Sequence, residues 1–255
     1  MSTMQRVMTG GSENITAAPS AVTRFSLTSL SAPYYTKTMV EHDTTSGAAE
    51  DFALAVSGLS KAFGRRRICA NITFDLHPGE RLAVVGPNGS GKSTFLKMLC
   101  GLLRADNGTI CYSHGGKKIA GDRWHEHVGL VAPDLALYDE LTALENVRFL
   151  NDIGGWGKSE NELTRLLHSV GLAERGHDLL GTFSSGMKQR LKYAAALIKS
   201  PALLLLDEPT TNLDESGVAL FHKIIQDQRS AGICVVATND PQEAGLAERQ
   251  IIMGQ

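Results

Sequence analysis

Gly86-Pro87-Asn88-Gly89-Ser90-Gly91-Lys92-Ser93-Thr94 follows the apolar run Leu82-Ala83-Val84-Val85 and leads into Phe95-Leu96-Lys97-Met98-Leu99. The order is strand, glycine-rich loop, helix. A loop wrapped at a helix N-terminus points unpaired backbone N–H groups and the positive end of the helix dipole at one place, where an anion binds. Gly86, Gly89 and Gly91 let the backbone turn tightly and approach phosphates, with Pro87, Asn88 and Ser90 completing the loop. Lys92 has the reach for β- and γ-phosphates, the Ser93 hydroxyl is placed to ligate Mg²⁺, and Thr94 adds a hydroxyl beside them. The expected ligand is a nucleoside triphosphate.

Two further stretches belong with this one. Ala202-Leu203-Leu204-Leu205-Leu206 reads as a buried strand that delivers Asp207 and Glu208 at its C-terminal end, beside Pro209. Two adjacent carboxylates there suggest metal and water chemistry. Phe183-Ser184-Ser185-Gly186-Met187-Lys188-Gln189-Arg190 opens a helix with small polar residues, a second helix start suited to an anion, and the helix runs to Lys199 before Pro201.

The 255 residues are enough for one α/β domain of ordinary size or two small ones. With 42% hydrophobic and 20% charged residues the composition is globular, and no apolar run approaches the roughly eighteen residues of a membrane span. A formal net charge of -2 supplies no basic field for nucleic acid, so no direct nucleic-acid contact is expected. Cys69, Cys100, Cys111 and Cys234 lack C-x-x-C spacing, which suggests neither zinc nor a disulfide framework and fits a reducing compartment. His125-Glu126-His127 places two rings together without a third or fourth ligand.

Residues 1–50 are rich in Ser, Thr and Ala without apolar periodicity and read as a disordered extension. A faint transit-peptide composition and a true start at Met39 are alternative readings of the same stretch. Strands are expected over Phe52–Val56, Ile72–Leu76, Gly108–Tyr112, His127–Val131, Ile233–Ala237 and Ile251–Met253, with a helix from about Glu215 to Arg229. Between Thr142 and about Leu180 two helical patterns, broken at Gly154-Gly155-Trp156-Gly157, form a helical insertion in the α/β core. Phe63 lies upstream of the His77-Pro78-Gly79-Glu80 turn; it is either an aromatic face for adenine or a core residue.

Over about residues 52–255 these motifs resemble the ABC transporter ATPases. Gly86 to Ser93 resembles the Walker A loop, Leu203 to Asp207 the Walker B strand, Glu208 the general base that orients the attacking water, and Asn212-Leu213-Asp214 the D-loop. Phe183-Ser184-Ser185-Gly186-Met187 loosely matches the signature L-S-G-G-Q, and Phe63 takes the adenine-stacking position. The resemblance implies an α/β P-loop NTPase core with an antiparallel β subdomain and a helical insertion at about 140–190. It implies ATP and Mg²⁺ as ligands, Ser93 and Asp207 as metal ligands, and Lys92, Glu208 and Asn239 as catalytic positions. It also implies a head-to-tail dimer in which each ATP lies between one P-loop and the other subunit's Ser184, Ser185, Gly186 and Asp214, docked on a separate membrane permease at the inner face of the membrane. Ser-Ser-Gly-Met and the Leu137-to-Asn146 stretch further resemble the ATPase of the cytochrome c biogenesis haem exporter.

Two positions depart from the pattern. Pro133, followed by Asp134, stands where the family has a glutamine, and Asn239 stands in place of the switch histidine. The expectation is intact ATP binding with slow hydrolysis, Asp134 taking over a metal-facing role; the competing function is an ATP-gated clamp that regulates a partner with little turnover.

Overall fold

The computed structural model describes residues 35–36, 52–120 and 123–254. The extension expected over residues 1–50 lies, except for 35–36, outside the described residues, and so does the alternative start at Met39. The strands are β1 (Tyr35–Thr36), β2 (Ala53–Phe63), β3 (Arg66–Leu76), β4 (Arg81–Val85), β5 (Asn107–His114), β6 (Lys117–Lys118), β7 (Val128–Val131), β8 (Leu203–Asp207), β9 (Ile233–Thr238) and β10 (Arg249–Ile252). The helices are α1 (Lys92–Leu99), α2 (Ala143–Gly154), α3 (Glu160–Ser169), α4 (Ser185–Leu197), α5 (Glu215–Ala231) and α6 (Pro241–Ala244).

Two sheets result. The first runs β1-β10-β4-β9-β8-β7, parallel throughout except for β1; the second, β3-β2-β5-β6, is antiparallel. Period-two alternation in the central strands sorts side chains onto the two faces of the parallel sheet. Leu203, Leu205, Ile233, Val235 and Ala237 pack with α1 and the antiparallel strands. Leu204, Leu206, Cys234 and Val236 pack instead with residues of α2 to α5. Because both faces are covered, β8 is apolar at four successive positions, each worth about 1.5–3 kcal/mol of burial.

The helical insertion begins at Ala143, and its segments carry their own stop and start signals. Thr142 with Glu145 and Ser159 with Glu162 form capping boxes at α2 and α3, and Gly155 closes α2 in the left-handed conformation, the break expected at the glycine cluster. α4 runs from Ser185 to Leu197, close to the expected end at Lys199. Strands β2 and β3 are longer than expected because their outer halves form a two-stranded ladder, with Phe63 opposite Arg66, in a stretch where polar residues hide the alternation. His125-Glu126-His127 falls in a 3₁₀ turn ahead of β7. Among the described residues no helix is long and apolar enough to cross a membrane.

Candidate functional site

Parallel pairing brings the site together. Val85 at the end of β4 lies level with Thr238 of β9, Ala237 with Asp207 of β8, and Leu206 with Val131 of β7. The glycine loop, Asp207-Glu208, Asn239 and the Ala132-Pro133-Asp134 segment therefore all leave the sheet at one carboxyl edge, where open α/β sheets bind ligands.

The loop winds into α1 without a side-chain cap: Gly91, the N-cap residue, has a φ of 105° and its helix start has no side-chain hydrogen bond. A Cβ there would come within 2.4 Å of Ile68 Cγ2, so close packing of β3 on the loop as well as φ requires glycine. Lys92 is only 5% exposed. Its ammonium folds back under the loop, donating to Gly86 O at 2.9 Å and Pro87 O at 3.4 Å and pairing with Glu208 Oε1 at 3.1 Å. The Ser90 hydroxyl is buried and lacks a hydrogen-bond partner among the described residues.

Asp207 is 2% exposed, and its Oδ1 is likewise buried without a partner among the described residues. Burial raises its pKa, Ser93's hydroxyl hydrogen bond and the Lys92 charge work the other way, and the neighbouring Glu208 charge adds to the rise. A buried carboxylate oxygen without a donor, next to a serine hydroxyl, is a hard oxygen pair that fits a Mg²⁺ ion. Glu208 follows with a φ of 47°, sparsely populated for a residue with a side chain, and its N–H donates to Ala237 O at 2.8 Å. This sharp turn separates the directions of two adjacent carboxylates. Asn239 Nδ2 donates to Asn88 Oδ1 at 3.0 Å, so the position expected to face the phosphates does contact the loop.

Around α4 the chemistry differs. Ser184 caps the helix, its hydroxyl accepting from Met187 N–H at 3.2 Å, and Lys188 pairs with Asp139 at 2.7 Å. Gly186 lies against the 208–214 segment, where a Cβ would stand 2.9 Å from Asn212 O. Gln189 Nε2 and the Tyr193 hydroxyl both donate to Pro209 O, at 3.0 and 2.9 Å. Asp214 serves as the N-cap of α5, accepting from Gly217 N–H at 2.8 Å and pairing with Arg190 at 2.8 Å. Its carboxyl is held below the usual range chiefly by the Gly217 N–H bond, then by Arg190 and Ser216. A cleft of about 330 Å³ runs between these parts, bordered by Pro133, Ser185, Gln189, Lys192, Glu208 and Asn212 among others.

Residues 69–211 match the model of the ABC transporter family. The chain belongs to that family. The linearmycin resistance ATP-binding protein LnrL of Bacillus subtilis is 36% identical over 194 residues, covering 74% of this chain and 62% of LnrL. The lantibiotic transport ATP-binding protein SrtF of Streptococcus pyogenes is 35% identical over 190 residues, covering 73% of this chain and 79% of SrtF. A solved structure described as an ATP-binding subunit of an ABC transporter superposes with a TM-score of 0.68 at 28% identity, over 78% of this chain and 85% of that one.

As an ABC ATP-binding domain, the chain shows its departures in geometry. Phe63 is 51% exposed, with Lys61 Nζ 5.2 Å from its ring centroid, so the core-aromatic alternative is excluded. The Asp134 carboxylate is bonded to Lys97 of α1, which holds its pKa below the usual value, and it lies near enough to Asp207 for its charge to add to the rise there. Lys192, which sequence reasoning passed over, donates to Ala132 O at 3.0 Å and to Pro133 O at 2.6 Å. Its only signal in the sequence is a lysine set between Gln189 and Tyr193, both of which are buried.

Proposed function

We propose that this ABC ATP-binding chain binds and hydrolyses ATP and dimerises head to tail on it, driving a separate membrane permease from the inner face of the membrane. The observation that carries the reading is the convergence of Lys92, Ser93, Asp207, Glu208 and Asn239 at one sheet edge, with the Asp207 carboxylate oxygen left without a protein donor among the described residues. Ser93 and Asp207 would hold Mg²⁺, which when bound neutralises phosphate charge. The loop N–H groups and Lys92 bind the triphosphate, Phe63 offers its exposed ring to the adenine, and Glu208 orients water in line with the γ-phosphate. In the free chain Lys92 holds Glu208, and phosphate competes for that ammonium and releases the carboxylate.

The placement of the two helix starts supports the dimer. α1 packs on one face of the parallel sheet and α4 on the other, so a single chain does not close both helix starts on one phosphate. Ser184, Ser185 and Gly186 of one subunit, with the Asp214 turn beside them, then meet the ATP held by the other's P-loop. The narrower expectation of haem export has no counterpart in the names of the relatives, linearmycin resistance and lantibiotic transport; the cargo is selected by the permease. A second reading, the clamp with little turnover, is favoured by Asn239, which offers a neutral amide where a charged donor would be stronger.

Glu208→Gln decides the main reading. The variant is expected to bind ATP and to elute as a dimer in size-exclusion chromatography with Mg-ATP, while the wild type cycles back to monomer. A variant that binds ATP and stays monomeric removes the sandwich dimer. A wild type without ATP hydrolysis, alone or with a permease co-purified from membranes, leaves the clamp.

A further inference from the structure

The turn after β7 is held from two sides. Ala132 continues the strand whose last residue, Val131, pairs with Leu206, so the turn starts beside Asp207 and borders the cleft that Glu208 also lines. Leu135 N–H closes it on Ala132 O at 3.2 Å. From α4, Lys192 Nζ donates to the carbonyls of both Ala132 and Pro133; from α1, Lys97 bonds the Asp134 carboxylate. Pro133 has no N–H of its own and locks one backbone angle, so this segment depends on side chains from elsewhere to fix its position. Lys192 is partly buried, and that burial lowers its pKa; two carbonyl acceptors compensate for the water it loses.

We propose that Lys192 is a positioning residue for hydrolysis: by holding the Ala132 and Pro133 carbonyls, with Asp134 latched to Lys97, it keeps the β7 turn folded back at the rim of the cleft that Glu208 lines. The contact also joins α1, which starts in the P-loop, to α4, which starts at Ser184, through three consecutive residues. The acceptors of the Lys192 ammonium lie in the β7 turn and not in the P-loop. Its loss therefore acts on the placement of water and Glu208 and not on ATP affinity. The proposal rests on the hydrolytic reading above.

The experiment is steady-state ATPase and ATP affinity of the full chain for Lys192→Met, Lys192→Arg, Asp134→Asn and the Lys192→Met/Asp134→Asn double variant. Misplacement near 1 Å at a reacting centre costs up to about a hundredfold, so Lys192→Met is expected to lose about ten- to a hundredfold in kcat with the ATP dissociation constant changed by less than about twofold. Lys192→Arg, which keeps a charged donor for two carbonyls, restores most of the rate. Asp134 is largely exposed, so Asp134→Asn folds even should Lys192→Met fail to, and it shows the same split of kcat from affinity. Because both act on one turn, the double variant is no slower than about the slower single one. Wild-type kcat in Lys192→Met or in Asp134→Asn, a parallel fall of kcat and affinity, or additive losses would each overturn the proposal. A wild type that hydrolyses no ATP overturns the function itself and this inference with it, whereas an active wild type with unaffected variants overturns only the inference.

Discussion

Two helix starts in this molecule are built from the same kind of residue and are finished in opposite ways. α1 begins at Gly91 with no side-chain cap, a buried Ser90 hydroxyl without a partner among the described residues and a lysine folded under the loop. α4 begins at Ser184, whose hydroxyl already accepts from Met187 N–H, with Lys188 and Arg190 paired to Asp139 and Asp214. Helix N-terminal N–H groups must find acceptors. At α1 the chain leaves that need to a ligand, and at α4 it meets part of the need itself. The first start leaves room for an anion within one chain; the second is a capped surface element, and only in the dimer proposed above would its serine meet a ligand presented by another subunit.

The most severe way to break the contrast is Lys92→Ala. It removes the buried ammonium of the glycine loop and leaves Glu208 without its partner, so ATP affinity is expected to fall by about a hundredfold or more in isothermal titration. Unchanged affinity would mean that α1 is not the phosphate site. Asn239→His comes next. A charged donor beside Asn88 strengthens contact with the γ-phosphate, so turnover is expected to rise by about tenfold while affinity stays nearly constant. Brisk wild-type turnover with no gain from histidine would remove Asn239 from the α1 side.

Asp207→Asn probes the ligand-dependent half by stability. With its folded-state pKa raised above 3.8, Asp207 binds its proton more tightly in the folded chain than in the unfolded one. The penalty therefore appears as pH rises above that value and grows until the pH passes the folded-state pKa. Nucleotide-free Asp207→Asn is expected to be more stable than wild type by about 1–2 kcal/mol at neutral pH in urea titration, with the gain vanishing toward about pH 4. A variant less stable at neutral pH would mean that the protein already satisfies this carboxylate. The mildest change is Ser184→Ala, which loses the α4 cap. About 1 kcal/mol of stability and a few degrees of melting temperature should go, with monomer ATP affinity intact and ATP-driven dimerisation weakened. Weakened monomer affinity would place Ser184 in the same chain's phosphate site and erase the contrast.

Much of this was legible before folding because its causes are local. The glycine loop between an apolar run and a helix, the small polar residues that open a helix at Ser184, and the run Leu203–Leu206 before Asp207 each carry their reason within about ten residues. Strand lengths around Phe63 and the short helix α6 were not legible. The first depends on pairing with Arg66 across a hairpin. The second is a single turn that Asp240 caps and Pro241 starts, too short to show an apolar period.

By itself, the sequence determined which stretch has the strand, glycine loop and helix order suited to phosphate, which strand delivers the carboxylates, and that Pro133 and Asn239 interrupt the family's pattern. Only the tertiary structure decided what those interruptions became. Asp134 turned to Lys97, and Lys192, fifty-nine positions beyond Pro133, took the carbonyls of the turn. Periodicity and motif spacing act along the chain, whereas a lysine that reaches a backbone carbonyl depends on which helix the parallel sheet sets against which strand end. That choice is made by burial of both sheet faces at once, and no local stretch contains it.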